Sequence, residues 1–265
     1  MEASYWRKQI ATKPLFPDIE WSKPERRDQA GRLGIIGGNK LGFSGVAEGY
    51  ASILSAGTGE VRVLLPDTLK RTIPPSITDT IFAASNPSGS LARGALSEMQ
   101  ALGAWASGIV LIGDAGRNSE TVLVYDDFIS SYTGQLTATR DAIDLVKNNA
   151  TLLVERPDTL LVASFAQIQK IFQSVYYPKI ITFSMHLGQL VDALHKFTIT
   201  YPVAVMTLHR DTLIIAHNGL VITQDWDNAM AIWRGQTAAR AASYWAWNAT
   251  KPIEAIAASI VASSK

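Results

Sequence analysis

Residues 34–46 read Gly-Ile-Ile-Gly-Gly-Asn-Lys-Leu-Gly-Phe-Ser-Gly-Val, and the fold follows from how that stretch must be built. Leu33–Ile36 is a short apolar run without polar alternation, the pattern of a strand buried on both faces. It ends in Gly37, Gly38 and Asn39. The chain then passes Gly42 and Gly45 before apolar residues take up helical spacing at Val46. Glycines at a strand-to-helix turn let the backbone approach a ligand closely, and the free N–H groups of a helix's first turn favour an anion. The spacing matches neither the dinucleotide fingerprint nor a P-loop, which ends in Gly-Lys-Ser/Thr. Gly37, Gly38, Asn39 and Lys40 are therefore candidate ligand-binding residues, with a tight turn as the plain alternative.

Outward from this unit the same alternation repeats. Apolar runs at Val61–Leu65, Ile109–Ile112, Leu136–Thr139, Leu160–Ala163, Ile180–Phe183 and Val203–Leu208 read as strands. Between them, Val46–Ser55, Leu91–Ala106, Phe165–Val175 and Leu187–Phe197 carry apolar residues three and four apart, as helices do. Strand–helix alternation predicts a mostly parallel sheet with helices on both faces. Toward the C-terminus, Thr212–Ala216 and Leu220–Thr223 flank His217-Asn218-Gly219, a strong hairpin signal that predicts an antiparallel edge. A long helical stretch over Asn228–Trp247 follows, and Pro252 opens a last helix, Ile253–Ser263. Ile73–Gly89 is the one long loop candidate.

Residues 1–30, with Pro14, Pro17 and Pro24, show no period and read as an extended arm. Trp6, Leu15, Phe16 and Trp21 are its possible anchors, on its own domain or on a neighbouring subunit. Residues 31–265 form a single α/β domain in this reading, because a chain of 265 residues suffices for one large core. The formal net charge of +1 lacks the electrostatic footprint of a nucleic-acid binder. The absence of cysteine excludes disulfides, a thiolate nucleophile and cysteine-ligated metal. The longest charge-free stretch, Met99–Gly113, is too short to span a bilayer, which needs roughly 20 apolar residues. The N-terminal residues lack the apolar core of a secretory signal, so a cytoplasmic location is expected.

Two further motifs carry chemistry. Ile112-Gly-Asp-Ala-Gly-Arg-Asn-Ser-Glu-Thr121 follows a strand, at the end where open α/β sheets bind ligands. Asn118 or Ser119 can cap the next helix, with Glu120 in its first turn. Asp114 and Arg117 are not needed for capping, so Gly113, Asp114, Arg117 and Asn118 are candidate binding residues. Thr139-Arg140-Asp141 also follows a strand, and Asp141 suits either a hydroxyl or metal-bound phosphate, or the N-cap of Ala142–Lys147. His186, His195, His209 and His217 show no metal-ligand spacing, and no metal site is expected. No Gly-X-Ser-X-Gly elbow is present. Trp226, Trp233, Trp245 and Trp247 read as core or subunit interface.

Gly31–Asn39 and Gly45, with the helix ending Ser55-Ala-Gly-Thr-Gly-Glu-Val-Arg-Val63 and then Pro66, resemble the opening of the ADP/ATP-dependent NAD(P)H-hydrate dehydratases. Gly113-Asp-Ala-Gly116 stands where that family has Gly-Pro-Gly-Leu-Gly, and Thr139–Ile143 where it has Asp-Ala-Asp-Ala-Leu. The resemblance implies a ribokinase-like fold, a three-layer αβα sandwich that binds nucleotide near its C-terminal elements. It also implies ADP or ATP with Mg2+ as the cofactor and hydrated NAD(P)H as the substrate, by similarity to the family.

The catalytic motifs depart from this pattern. The family's Thr-Pro-His-Pro-Gly-Glu meets Val162-Ala-Ser-Phe-Ala-Gln167, and its Leu-Lys-Gly meets Thr207-Leu208-His209. Its Gly-Thr-Gly-Asp meets Arg234-Gly235-Gln236-Thr237, which puts a threonine at the place of the proton-moving carboxylate. An unactivated hydroxyl is far too weak a base near neutral pH. By resemblance Asp141 and Thr237 hold the catalytic places, and His209, Gly235 and Gln236 the nucleotide-binding ones. Three functions compete: an active nucleotide-dependent dehydratase or related small-molecule kinase, an inactive nucleotide- or metabolite-binding relative, and an interaction protein whose cleft is filled. Homo-oligomers are expected by analogy with the fold.

Overall fold

Apolar runs such as Leu33–Ile36 and Gly108–Gly113 lie inside the sheet because both faces of each are covered. The computed structural model describes residues 4–262. Its strands are β1 (Trp6–Gln9), β2 (Arg32–Gly37), β3 (Glu60–Pro66), β4 (Thr80–Ala83), β5 (Gly108–Gly113), β6 (Gln135–Thr139), β7 (Thr159–Ala163), β8 (Ala204–His209), β9 (Thr212–His217) and β10 (Leu220–Asp225). They form one sheet in the order β1-β10-β9-β8-β7-β6-β5-β2-β3-β4. Among the described residues only β9 runs against the others.

Successive residues of an interior strand point to opposite faces. Ile36, Leu64 and Leu111 accordingly lie on the face whose core is completed by residues of α2 (Leu96–Trp105), α3 (Ser119–Ser131), α4 (Asp141–Val146), α5 (Thr151–Val154), α6 (Phe165–Ser174) and α7 (Leu187–Thr200). Ile35, Val63 and Val110 face α1 (Ser44–Ala56) and α9 (Gln236–Trp247), and α8 (Ala229–Trp233) and α10 (Pro252–Ala262) extend that second layer. The result is a three-layer αβα sandwich.

The hairpin forms at Asn218 (φ 47°) and Gly219 (φ 77°), both in the left-handed region that a tight two-residue turn demands. It joins β9 to β10, and β1 pairs in parallel with the outer side of β10. Trp6 of β1 donates its indole N–H to Thr223 Oγ1 at 2.9 Å, and Leu15 and Phe16 pack on the second core layer. Trp21 does not act as an anchor, since it is 87% exposed. Burial holds the His217 imidazole below its usual range. The unfolded chain therefore takes up a proton first, so stability is complete above pH about 6.5 and declines as pH falls toward the folded value. Replacing His217 by Asn should flatten this part of a pH-dependent urea titration; an unchanged acid limb would contradict the assignment.

The structure corrects several elements. Ile180–Phe183 is not a strand: β7 and β8 pair directly, which leaves no slot, and Ile180 is 82% exposed. The helix expected over Leu91–Ala106 begins only at Leu96, after a 3-10 turn at Arg93–Ala95. The long loop contains the short strand β4, on the outer side of β3. The helix expected over Asn228–Trp247 is two helices, broken at Arg234-Gly235, where Gly235 takes φ 84°. That break creates a helix start at the carboxyl end of the sheet.

Candidate functional site

β3 and β4 lie on one side of β2, and β5, β6, β7 and β8 on the other. The sheet order therefore reverses between β2 and β5, and open α/β sheets bind ligands in the crevice at such a point. Both strands end there in glycine. Gly37 pairs with Gly113 after a register shift at Ile36/Gly37, and Gly38 N–H donates to the Gly113 carbonyl at 2.9 Å. Glycine is needed at Gly37, because a Cβ there would run into the Gly113 carbonyl oxygen.

The loop after β5 is held from both sides. Asn39 donates its side-chain amide to the Asp114 carbonyl at 2.7 Å. From the end of β6, the Asp141 carboxylate accepts the Asp114 and Ala115 backbone N–H groups at 2.7 and 3.1 Å. Asp141 is the first residue of α4, and its side chain braces the β5 loop rather than capping its own helix. Below lies Tyr125, fully buried with an unpartnered hydroxyl. Burial, then the charges of Asp141 and Asp114, push its phenol well above the usual range.

At the centre stands an ion pair that the motif reading did not single out. Arg140 Nη2 donates to Asp114 Oδ1 at 2.7 Å, with both side chains largely buried. Asp114 Oδ2 accepts the Gly45 N–H at 2.6 Å, at the start of α1. Arg140 Nη1 is buried without a partner, and a Cβ on Gly45 would fall upon it. The aliphatic part of Arg140 passes Gly235, where a Cβ would lie 3.6 Å from Cδ. Arg140 (φ 56°) and Asp114 (φ 54°) both hold left-handed backbone. The Arg140 carbonyl accepts from Gln167 Nε2 at 2.8 Å, which ties in the first turn of α6.

Gly235 is the N-cap of α9, and it supplies no side-chain cap to that helix end. Its first backbone N–H groups precede any intrahelical acceptor, so they are available to an anion. Thr237, in that first turn, is 3% exposed, and its hydroxyl has no partner. Gln236 instead turns to α1 and donates to Glu48 Oε2 at 2.8 Å, with Arg234 Nη1 at 3.6 Å from Glu48 Oε1.

The remaining predicted residues lie around this centre. Asn118 caps α3 by accepting the Glu120 N–H at 2.9 Å, and Arg117 is exposed. Both line a cavity of about 490 Å³ with Asp141, Asp144, Lys147 and Lys170. Lys40 is turned to the rim, its ammonium 3.3 Å from the Pro87 carbonyl. His209 ends β8, buried against Phe165 and Phe183, with Nε2 3.2 Å from the Met185 carbonyl and Nδ1 unpartnered. None of these contacts joins it to the Arg140–Asp114 pair. Arg140 and Glu48 escaped the sequence reading because an arginine after a strand and a glutamate on a helix look like surface residues.

No metal-holding group of three or more His, Cys, Asp or Glu side chains forms among the described residues. Asp114 and Asp141 are already engaged by Arg140 and by backbone N–H groups. This donor set does not fit a magnesium ion held by the protein alone.

No protein-family model matches this sequence, and no curated protein matches it. Solved structures do. A ribokinase-like superfamily protein of Enterococcus faecalis superposes with a TM-score of 0.73 at 12% identity, covering 98% of this chain and 87% of that one. The ADP/ATP-dependent NAD(P)H-hydrate dehydratase of Bacillus subtilis, co-crystallized with ATP/Mg2+ and soaked with CoA, gives 0.62 at 10% identity, covering 93% and 86%. The pyridoxal kinase of Staphylococcus aureus, in complex with AMP-PCP and pyridoxal, gives 0.53 at 13% identity, covering 88% and 87%. The fold is ribokinase-like. Among the described residues no helix is long and apolar enough to cross a membrane.

Proposed function

We propose that this chain binds a phosphate-bearing small molecule, an adenine nucleotide, at the carboxyl end of its sheet, and that it does not turn that ligand over. One observation carries the reading: α9 opens on Gly235 with an uncapped first turn, while the carboxylates of the cleft are tied up. Asp114 is held by Arg140 and the Gly45 N–H, Asp141 by two backbone N–H groups, and Glu48 by Gln236 and Arg234. An anion-binding helix start survives there without a free base beside it. Loss of a general base costs about two to four orders of magnitude in rate. Any magnesium would arrive on the ligand's phosphates, where it needs few protein ligands.

ADP or ATP supplied with hydrated NADPH should accordingly fail to restore the absorbance of the reduced nicotinamide. Thr237→Asp alone should not restore it either, because the family's histidine, glutamate and lysine positions are also replaced. A substantial rate from the wild-type chain would refute the inactive reading and favour the dehydratase.

A further inference from the structure

We infer that Asp114 is a built-in stand-in for the phosphate group of the ligand, and that binding proceeds by exchange: the phosphate takes Arg140 and the Gly45 N–H from Asp114. This deepens the proposed function, on whose ligand class it rests. The Asp114 carboxylate sits as a bound anion would, with one oxygen on a guanidinium and the other on the N–H of a helix start. Yet it uses the guanidinium incompletely. A carboxylate frequently engages arginine through two parallel N–H···O bonds; here Nη2 is bonded and Nη1 is buried with no acceptor. The orphaned donor is a standing cost that Asp114 does not relieve as it is placed, with Oδ1 on Nη2, Oδ2 turned to the Gly45 N–H, and neither oxygen bonded to Nη1.

A phosphate group has the additional oxygen required. It can accept from Nη1, Nη2 and the Gly45 N–H together, and as a dianion it outcompetes a single carboxylate charge. Glycine at 45 leaves the space in which the guanidinium lies, since a methyl group there would overlap Nη1. The exchange is therefore a property of this chain's own residues.

The test is calorimetric titration of the full chain with inorganic pyrophosphate, for wild type, Asp114→Asn, Arg140→Met and Arg140→Lys. Asn keeps the side-chain shape but gives up the competing charge. If Arg140 is otherwise held by Asp114 nine-tenths of the time, release tightens binding about tenfold. Arg140→Met should abolish measurable binding, and Arg140→Lys should leave it weakened, since a point charge cannot fill the fork. If Asp114→Asn does not fold, Asp114→Ser replaces it with the same expectation. Pyrophosphate binding that is unchanged or weaker without the Asp114 charge, or unaffected by Arg140→Met, overturns the exchange. The two readings fail separately. Pyrophosphate binding with these responses but no ADP binding keeps the exchange and removes the nucleotide. ADP binding equal in all four proteins keeps the nucleotide and removes the exchange.

Discussion

Asp141→Ala should lower the stability of the protein by about 3–6 kcal/mol, because hydrogen bonds to charged groups contribute roughly 1.5–3 kcal/mol each and this carboxylate makes two. The Asp114 and Ala115 N–H groups would both lose their acceptor in a part-buried loop, and the Arg140 contact to the Asp114 side chain would not replace it. The loss reaches function as well as folding. Asp114 would no longer be held at φ 54°, and its carboxylate would leave the Gly45 N–H and Arg140. Asp141→Asn keeps one acceptor oxygen and should cost about half as much. Urea unfolding followed by circular dichroism measures both, and a loss below about 0.5 kcal/mol for Asp141→Ala would show that the loop holds itself.

Gly37→Ala should cost about 2–4 kcal/mol, at or above the usual range for overpacking. The added methyl group meets the Gly113 carbonyl oxygen, which is backbone and cannot swing aside as a side chain would. Ile112 Cγ2 and Val46 Cγ2, 3.1 and 3.2 Å from the same position, close the other directions. β2 and β5 would have to part where Gly38 N–H bonds the Gly113 carbonyl, which opens the sheet at its point of reversal. Gly42→Ala is the control. No neighbouring atom lies within 4 Å of a Cβ at Gly42, so its cost should stay within about 0.5 kcal/mol. Equal losses for the two variants would show that chain flexibility, not contact, sets the requirement at Gly37.

The interior strands were readable in the sequence because burial on both faces leaves an unbroken apolar run, as in Leu33–Ile36 and Ile109–Ile112. The hairpin was readable because Asn-Gly is suited to two consecutive left-handed residues. The ends of the sheet were not. β1 reads Trp-Arg-Lys-Gln, with its two central residues exposed, and an edge strand needs no apolar run. Ile180–Phe183 misled for the converse reason: four apolar and β-branched residues satisfy the local pattern whether or not a neighbouring strand exists to pair with them.

The glycines and Asp114 and Asp141 stand out in the sequence because they sit at strand ends where a charge has no packing role, and the structure brings them together at the carboxyl end of the sheet. What they do to one another was not legible. That Asp141 braces the Asp114 loop, and that Arg140 reaches across to Gly45, depends on the adjacency of β5 and β6 and on the break at Gly235. Spacing along the chain carries none of these.

The most direct measurement is calorimetric titration of the purified chain with Mg-ATP, ADP and NADPH. Binding of an adenine nucleotide at micromolar strength, about −8 kcal/mol, is the result expected of a ligand-binding ribokinase-like protein. Absence of binding by all three would contradict it and leave a fold whose cleft its own Arg140–Asp114 pair has filled.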